Sequence, residues 1–223
     1  ADGAPDASDA TDSERAYTFA SVDGVLQAPF GALPYRLYYP EGFDGQTYLV
    51  HVSRGGPGFG DDRGQLQSYV EGYVERGFVV LQLDHRFAGR DIEKIAQFRG
   101  EEIEFAAQQV VADALELGDF QGTIDASRQG FAGHSGGCME GLEAAGTAMT
   151  HGDYTAPKIR AVYCMSPAGF RPDQFGIRRD PPGYAAIGDT AVFVVVGEEE
   201  KDTNGPETLQ EPDWRLQAYD AMS

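Results

Sequence analysis

Apolar positions from residue 17 onward fall into two kinds of run, short continuous ones and longer ones spaced by three and four, and the two kinds alternate along the chain. Residues 17–23 and 34–39, rich in aromatic and β-branched side chains, predict two early strands forming an antiparallel edge. Tyr48, Leu49, Val50, His51 and Val52 predict the next strand. Leu66, Tyr69, Val70, Tyr73 and Val74 then recur at i, i+3, i+4, i+7 and i+8, one face of an amphipathic helix that Gly77 ends. Residues 78–83 are a near-continuous apolar run, expected for a strand buried on both faces, leading into Asp84, His85 and Arg86.

Ile103, Ala107, Val110, Val111, Ala114 and Leu117 mark a second helix face. Glu101, Glu102 and Glu104 are expected in its first turn, where the dipole favours negative charge, and Gly118 at its stop. Phe131 and Ala132 predict a short strand ending at Ser135, followed by a small-residue helix with Gly141, Ala144 and Ala145. Ile159–Met165 and residues 191–196 predict two further buried strands, and Trp214, Ala218 and Met222, four apart, a closing helix. Residues 166–189 are rich in Pro, Gly and Arg without a usable period and predict a surface excursion or small lid. Strands alternating with helices predict an α/β domain: a mostly parallel sheet with helices on both faces.

Composition narrows this. At 223 residues the chain is long enough for one core, giving one domain after an acidic leader at residues 1–16 that carries no apolar period. A formal charge of -19 argues against nucleic acid as a partner. Lysine occurs only at positions 94, 158 and 201, a balance that suits either a high-salt environment or an ordinary exported acidic protein. No apolar run is long enough for a membrane span, and the polar leader without Met suggests processing and a secreted or periplasmic location. Cys138 and Cys164 permit one disulfide or two buried thiols; their spacing is not that of a metal or redox pair, and no metal is expected.

The chemistry concentrates at Gly133-His134-Ser135-Gly136-Gly137, a G-x-S-x-G placed between a strand and a helix. A sharp turn there would raise the Ser135 hydroxyl above the carboxyl edge of the sheet, with the helix N-terminus facing a developing oxyanion. A second glycine-rich segment, Arg54-Gly55-Gly56-Pro57-Gly58-Phe59-Gly60, follows an earlier strand. With this order of elements the chain resembles the α/β-hydrolase superfamily over residues 17–223, nearest to dienelactone-hydrolase-like esterases and lipases. Dienelactone hydrolases proper have cysteine at the elbow where this chain has Ser135, so the resemblance implies a serine ester hydrolase. Arg54 stands where the related H-G-G-P-G loop of proline iminopeptidases has histidine, which weakens a peptidase assignment.

The resemblance implies Ser135 as nucleophile, the Gly136 amide and that of Gly55 or Gly56 as oxyanion donors, and an acid after the strand at 191–196. Asp202 fits that pattern best, with Glu198, Glu199 and Glu200 as competitors. Arg54, His85 and His134 are candidates to line the pocket. The order Ser, acid, His is not completed, because His51, His85, His134 and His151 all precede Asp202. The expectation is therefore that the last strand, a histidine and a final helix lie beyond residue 223. They would come from a longer chain or a second polypeptide, and the isolated chain would be inactive without that histidine. A small-molecule ester is the implied substrate and no cofactor is implied. The alternatives are a non-catalytic binding protein of the same fold, or a peptidase or amidase.

Overall fold

The computed structural model describes residues 17–55, 63–86, 91–167, 176–178, 183–197 and 222. Strands β1 (Phe19–Ala28) and β2 (Gly31–Pro40) form a long antiparallel hairpin. Gly31 closes its turn at φ 121°, a value open to glycine and strained for other residues. Exposed and more buried positions alternate along β1, the period of a strand with one face covered. β2 turns fully buried over its last four residues, where it meets the interior of the sheet.

Strands β3 (Gln46–Thr47) and β4 (Leu49–Ser53) follow, then helix α1 (Gln67–Val74), strand β5 (Val79–Leu83) and helix α2 (Ile92–Val111). Next come β6 (Thr123–Ile124), β7 (Gln129–His134), helix α3 (Gly136–Ala144), β8 (Ile159–Met165), a 3-10 turn (Gly183–Ala186) and β9 (Ala191–Val195). β3 and β6 pair separately. Among the described residues the main sheet has seven strands in the order β1-β2-β5-β4-β7-β8-β9, antiparallel at its β1-β2-β5 end and parallel from β5 to β9. The protein is thus α/β with a mixed, mostly parallel sheet. Every residue of β4 and β5 is buried, the expected fate of continuous apolar runs in the middle of a covered sheet.

The core divides by face. On the α2 and α3 side, Leu37, Leu81, Ile103, Phe131, Leu142 and Val162 belong to one large cluster. On the α1 side, Val50, Val52, Val70, Val74, Val80 and Ala132 form a smaller one. No helix among the described residues is long and apolar enough to cross a membrane.

Three expectations need correction. Helix α2 begins eleven residues before Ile103, capped by the Asp91 side chain accepting from the Lys94 N–H at 3.0 Å, and ends at Val111, well before Gly118. Glu101, Glu102 and Glu104 therefore sit in mid-helix rather than at a dipole terminus. Among the described residues β9 stands at one edge of the sheet and is half open: Phe193 is 63% exposed. An apolar run specifies a strand but does not say how many layers cover it. Finally, the described part of 166–189 includes core: Ile177 bridges to Met149, and Tyr184 is fully buried with its hydroxyl donating to Met139 Sδ at 3.4 Å. Residues 168–175 and 179–182, on which a lid would rest, lie outside the described residues, as do the leader and Trp214 and Ala218 of the expected closing helix. Met222 packs on the larger cluster.

Candidate active site

Strand order alone indicates a location. From β4 the chain passes through α1 to β5 on one side, whereas from β7, β4's other neighbour, it passes through α3 to β8 on the opposite side. Adjacent parallel strands whose connections diverge leave a crevice at their carboxyl ends, where ligands bind in sheets of this kind. β4 ends there in Ser53-Arg54-Gly55 and β7 in His134-Ser135-Gly136, with Ser53 in register with Gly133.

Ser135 occupies φ 54°, ψ -115°, a conformation that costs a non-glycine residue on the order of 1–3 kcal/mol. The surroundings hold it there. Its N–H donates to Met165 O at 2.9 Å, extending the β7–β8 ladder, while its carbonyl accepts from the Cys138 N–H at 3.1 Å and starts α3. Glycine is required on both sides of the turn. A Cβ on Gly133 would overlap the Gly137 carbonyl, and one on Gly137 would overlap the Ser53 carbonyl. A Cβ on Gly55 would overlap the Gly136 nitrogen and lie 2.6 Å from Ser135 Cβ. The β4 and β7 turns are thus in backbone contact, and the first N–H groups of α3, which lack intrahelical acceptors, open beside the half-buried Ser135.

Cys138 and Cys164 form a disulfide that ties the first turn of α3 to β8. Closing a loop of 26 residues' separation stabilises by about 3.5 kcal/mol in the chain-entropy description.

Beneath the turns runs a buried polar network that the sequence reading missed. Glu140, on α3, accepts from Ser53 Oγ at 2.6 Å and from Arg99 Nη1, and the same Arg99 nitrogen donates to the Arg54 carbonyl at 2.9 Å. His85 donates through Nδ1 to Glu102 at 2.7 Å, and its Nε2 lies 3.7 Å from Glu140. Arg86 binds Glu102 and Glu101, each at 2.6 Å, with its guanidinium over the rings of Phe30 and Phe98. Burial pushes the Glu102 carboxyl up, but the hydrogen bonds and charge of His85 and Arg86 outweigh it and hold the group below its ordinary value. Glu143, one turn beyond Glu140, is fully buried with neither oxygen hydrogen-bonded among the described residues. Desolvation and the nearby Glu140 charge push it well up, against a smaller opposing pull from Arg99. A signal for these residues existed: Arg99 lies on the apolar stripe of Ile103 and Ala107, and Glu140 and Glu143 interrupt an otherwise small and apolar helix.

The expected site residues separate. Ser135, Gly136 and Gly55 come together, with Arg54 half-buried beside them and His134 exposed on the turn. His85 is only 3% exposed and belongs to the network rather than to an open pocket wall. Gly56, Glu198, Glu199, Glu200 and Asp202 lie outside the described residues. His51 is buried in β4, held by Gln129 at 2.8 Å, and burial lowers its pKa to about 4 despite that bond. His151 lies past α3, its ring against Tyr154. Among the described residues no histidine is hydrogen-bonded to Ser135 Oγ. No protein-family model matches the sequence, and no curated protein matches it.

Proposed function

We propose that the sheet is that of an α/β-hydrolase and that the protein is a serine hydrolase cleaving small carboxylic esters. The observation that carries this is the strained Ser135 backbone at the carboxyl ends of β4 and β7, where the strand connections diverge, with Gly55 pressed against Gly136 beside it. Leu66, Asp113 and Ser166 also take positive φ, but Ser135 is the one that lies in a turn accepting only glycine at 133 and 137, as expected where a side chain must be presented rather than packed. In this reading Ser135 Oγ attacks the ester carbonyl and its proton passes to a general base. The Gly136 and Gly55 or Gly56 amides stabilise the oxyanion, and the alcohol leaves carrying a proton from the protonated base. Water then releases the acid and regenerates Ser135. Asp202 orients the base. In this reading the base is a histidine other than His51, His85, His134 and His151, none of which is hydrogen-bonded to Ser135 Oγ among the described residues. Export to an oxidising compartment accords with the Cys138–Cys164 disulfide.

A fluorophosphonate probe on the complete natural polypeptide tests the reading. Labelling that disappears in Ser135→Ala, with p-nitrophenyl acetate cleaved faster than an aminoacyl anilide, is the expected result. The second reading, a non-catalytic binding protein of this fold, draws on the lack of a histidine at Ser135; an unlabelled, folded polypeptide would favour it.

A further inference from the structure

The two turns that meet at Ser135 are joined not only by backbone contact but by a buried ion pair, and the atoms that pair holds bear on catalysis. Arg99, from α2, donates to the carbonyl of Arg54. A peptide unit is planar and trans, so the Arg54 C=O and the Gly55 N–H point in opposite directions across one rigid plane. A guanidinium fixed on the carbonyl therefore fixes the direction of the N–H. It also polarises the peptide, making that N–H a stronger donor. Arg99 is held in turn by Glu140, which also takes the Ser53 hydroxyl just before this peptide. Glu140 projects from the helix that starts at Ser135, so the loop peptide is referenced to the element that carries the nucleophile.

We infer that Arg99 and Glu140 are positioning residues, which aim the Gly55 N–H at the oxyanion and hold its distance from the Gly136 N–H. The inference rests on the serine-hydrolase reading and deepens it, selecting Gly55 over Gly56 as the loop donor. Arg99 and Glu140 touch no substrate; they act through one peptide plane.

The test uses the complete natural polypeptide and p-nitrophenyl acetate. Arg99→Met alone strands a buried carboxylate and endangers folding. The informative variant is Arg99→Met with Glu140→Leu, which removes both charges together and keeps the apolar volume. With melting temperature and near-ultraviolet dichroism retained, kcat should fall about 10- to 100-fold while KM stays near the parent value, since an oxyanion donor acts in the transition state. Arg99→Lys, which keeps a donor for the Arg54 carbonyl, should recover part of kcat. A folded double variant with parental kcat overturns the inference alone, provided the parent labels at Ser135. So does a loss confined to KM, or one tracking the unfolded fraction. A parent that fluorophosphonate does not label overturns the hydrolase reading, and this inference with it.

Discussion

The two faces of the sheet solve the same burial problem unequally. On the α2 and α3 face, β8 and β9 turn Val162, Cys164, Val192 and Val194 into a core that also holds Arg99, Glu102, Glu140 and Glu143. On the α1 face the same strands present Tyr163 and Phe193, stacked 5.6 Å apart, in a cleft of about 660 Å³ that also includes Tyr48, Tyr73 and Phe78. Among the described residues, the face with charges inside is the closed one and the face with aromatic side chains is the open one. Arg99, Glu102 and Glu140 are tolerated because rigid elements fix their partners, and Glu143, which has none among the described residues, is pushed toward its neutral form, whereas apolar area on the other face stays wet wherever no element is laid over it.

The largest test of this contrast removes a partner on the closed face. Glu140→Ala leaves Arg99 without its buried carboxylate and should cost about 3–5 kcal/mol in urea denaturation; a loss below 1 kcal/mol would mean the network is slack. Glu143→Gln should act in the other direction and depend on pH. Arg99, Glu140, Tyr154 and Tyr184 surround this carboxyl, and its folded pKa is raised, so the unfolded chain releases the proton first as pH rises. Native stability contributed by the protonated group is complete below about pH 4.5 and is lost as pH climbs through the folded value. The glutamine variant should therefore match the parent at pH 4 and exceed it by about 1–3 kcal/mol once the folded group would ionise. Equal melting curves from pH 4 to 9 would contradict that. The smallest effect belongs to the open face. Phe193→Ser should change stability by no more than about 0.5 kcal/mol, while lowering the binding of a hydrophobic dye. A destabilisation like that of Glu140→Ala would show that this face is covered.

The same contrast explains what could be read from residue order. β8 runs over the predicted Ile159–Met165, and β5 over all but the first residue of its predicted run, because a continuous apolar stretch bounded by polar turns has few other uses. The Ser135 turn was legible because the glycines stand at a fixed spacing around the serine; at 133 the demand is local, from the Gly137 carbonyl, whereas at 137 it comes from the distant Ser53 carbonyl and only the spacing betrayed it. α2 was read from its apolar half alone: Lys94, Gln97 and Arg99 obscure its first turns, although Asp91 caps them. The network beneath the turns was not legible, since it joins Ser53, Arg99 and Glu140 across 41 to 87 positions of sequence. Nor did the apolar run at β9 reveal that it would stand at an edge.

The abutting turns constrain how this protein could change. Gly55 and Gly137 leave no room for even one added carbon where the β4 and β7 ends touch. Substitution there would push the turns apart instead of reshaping a cavity. New preferences for one molecule over another would thus have to arise in segments leading away from this junction, while the junction itself is inherited as a single unit or lost as one.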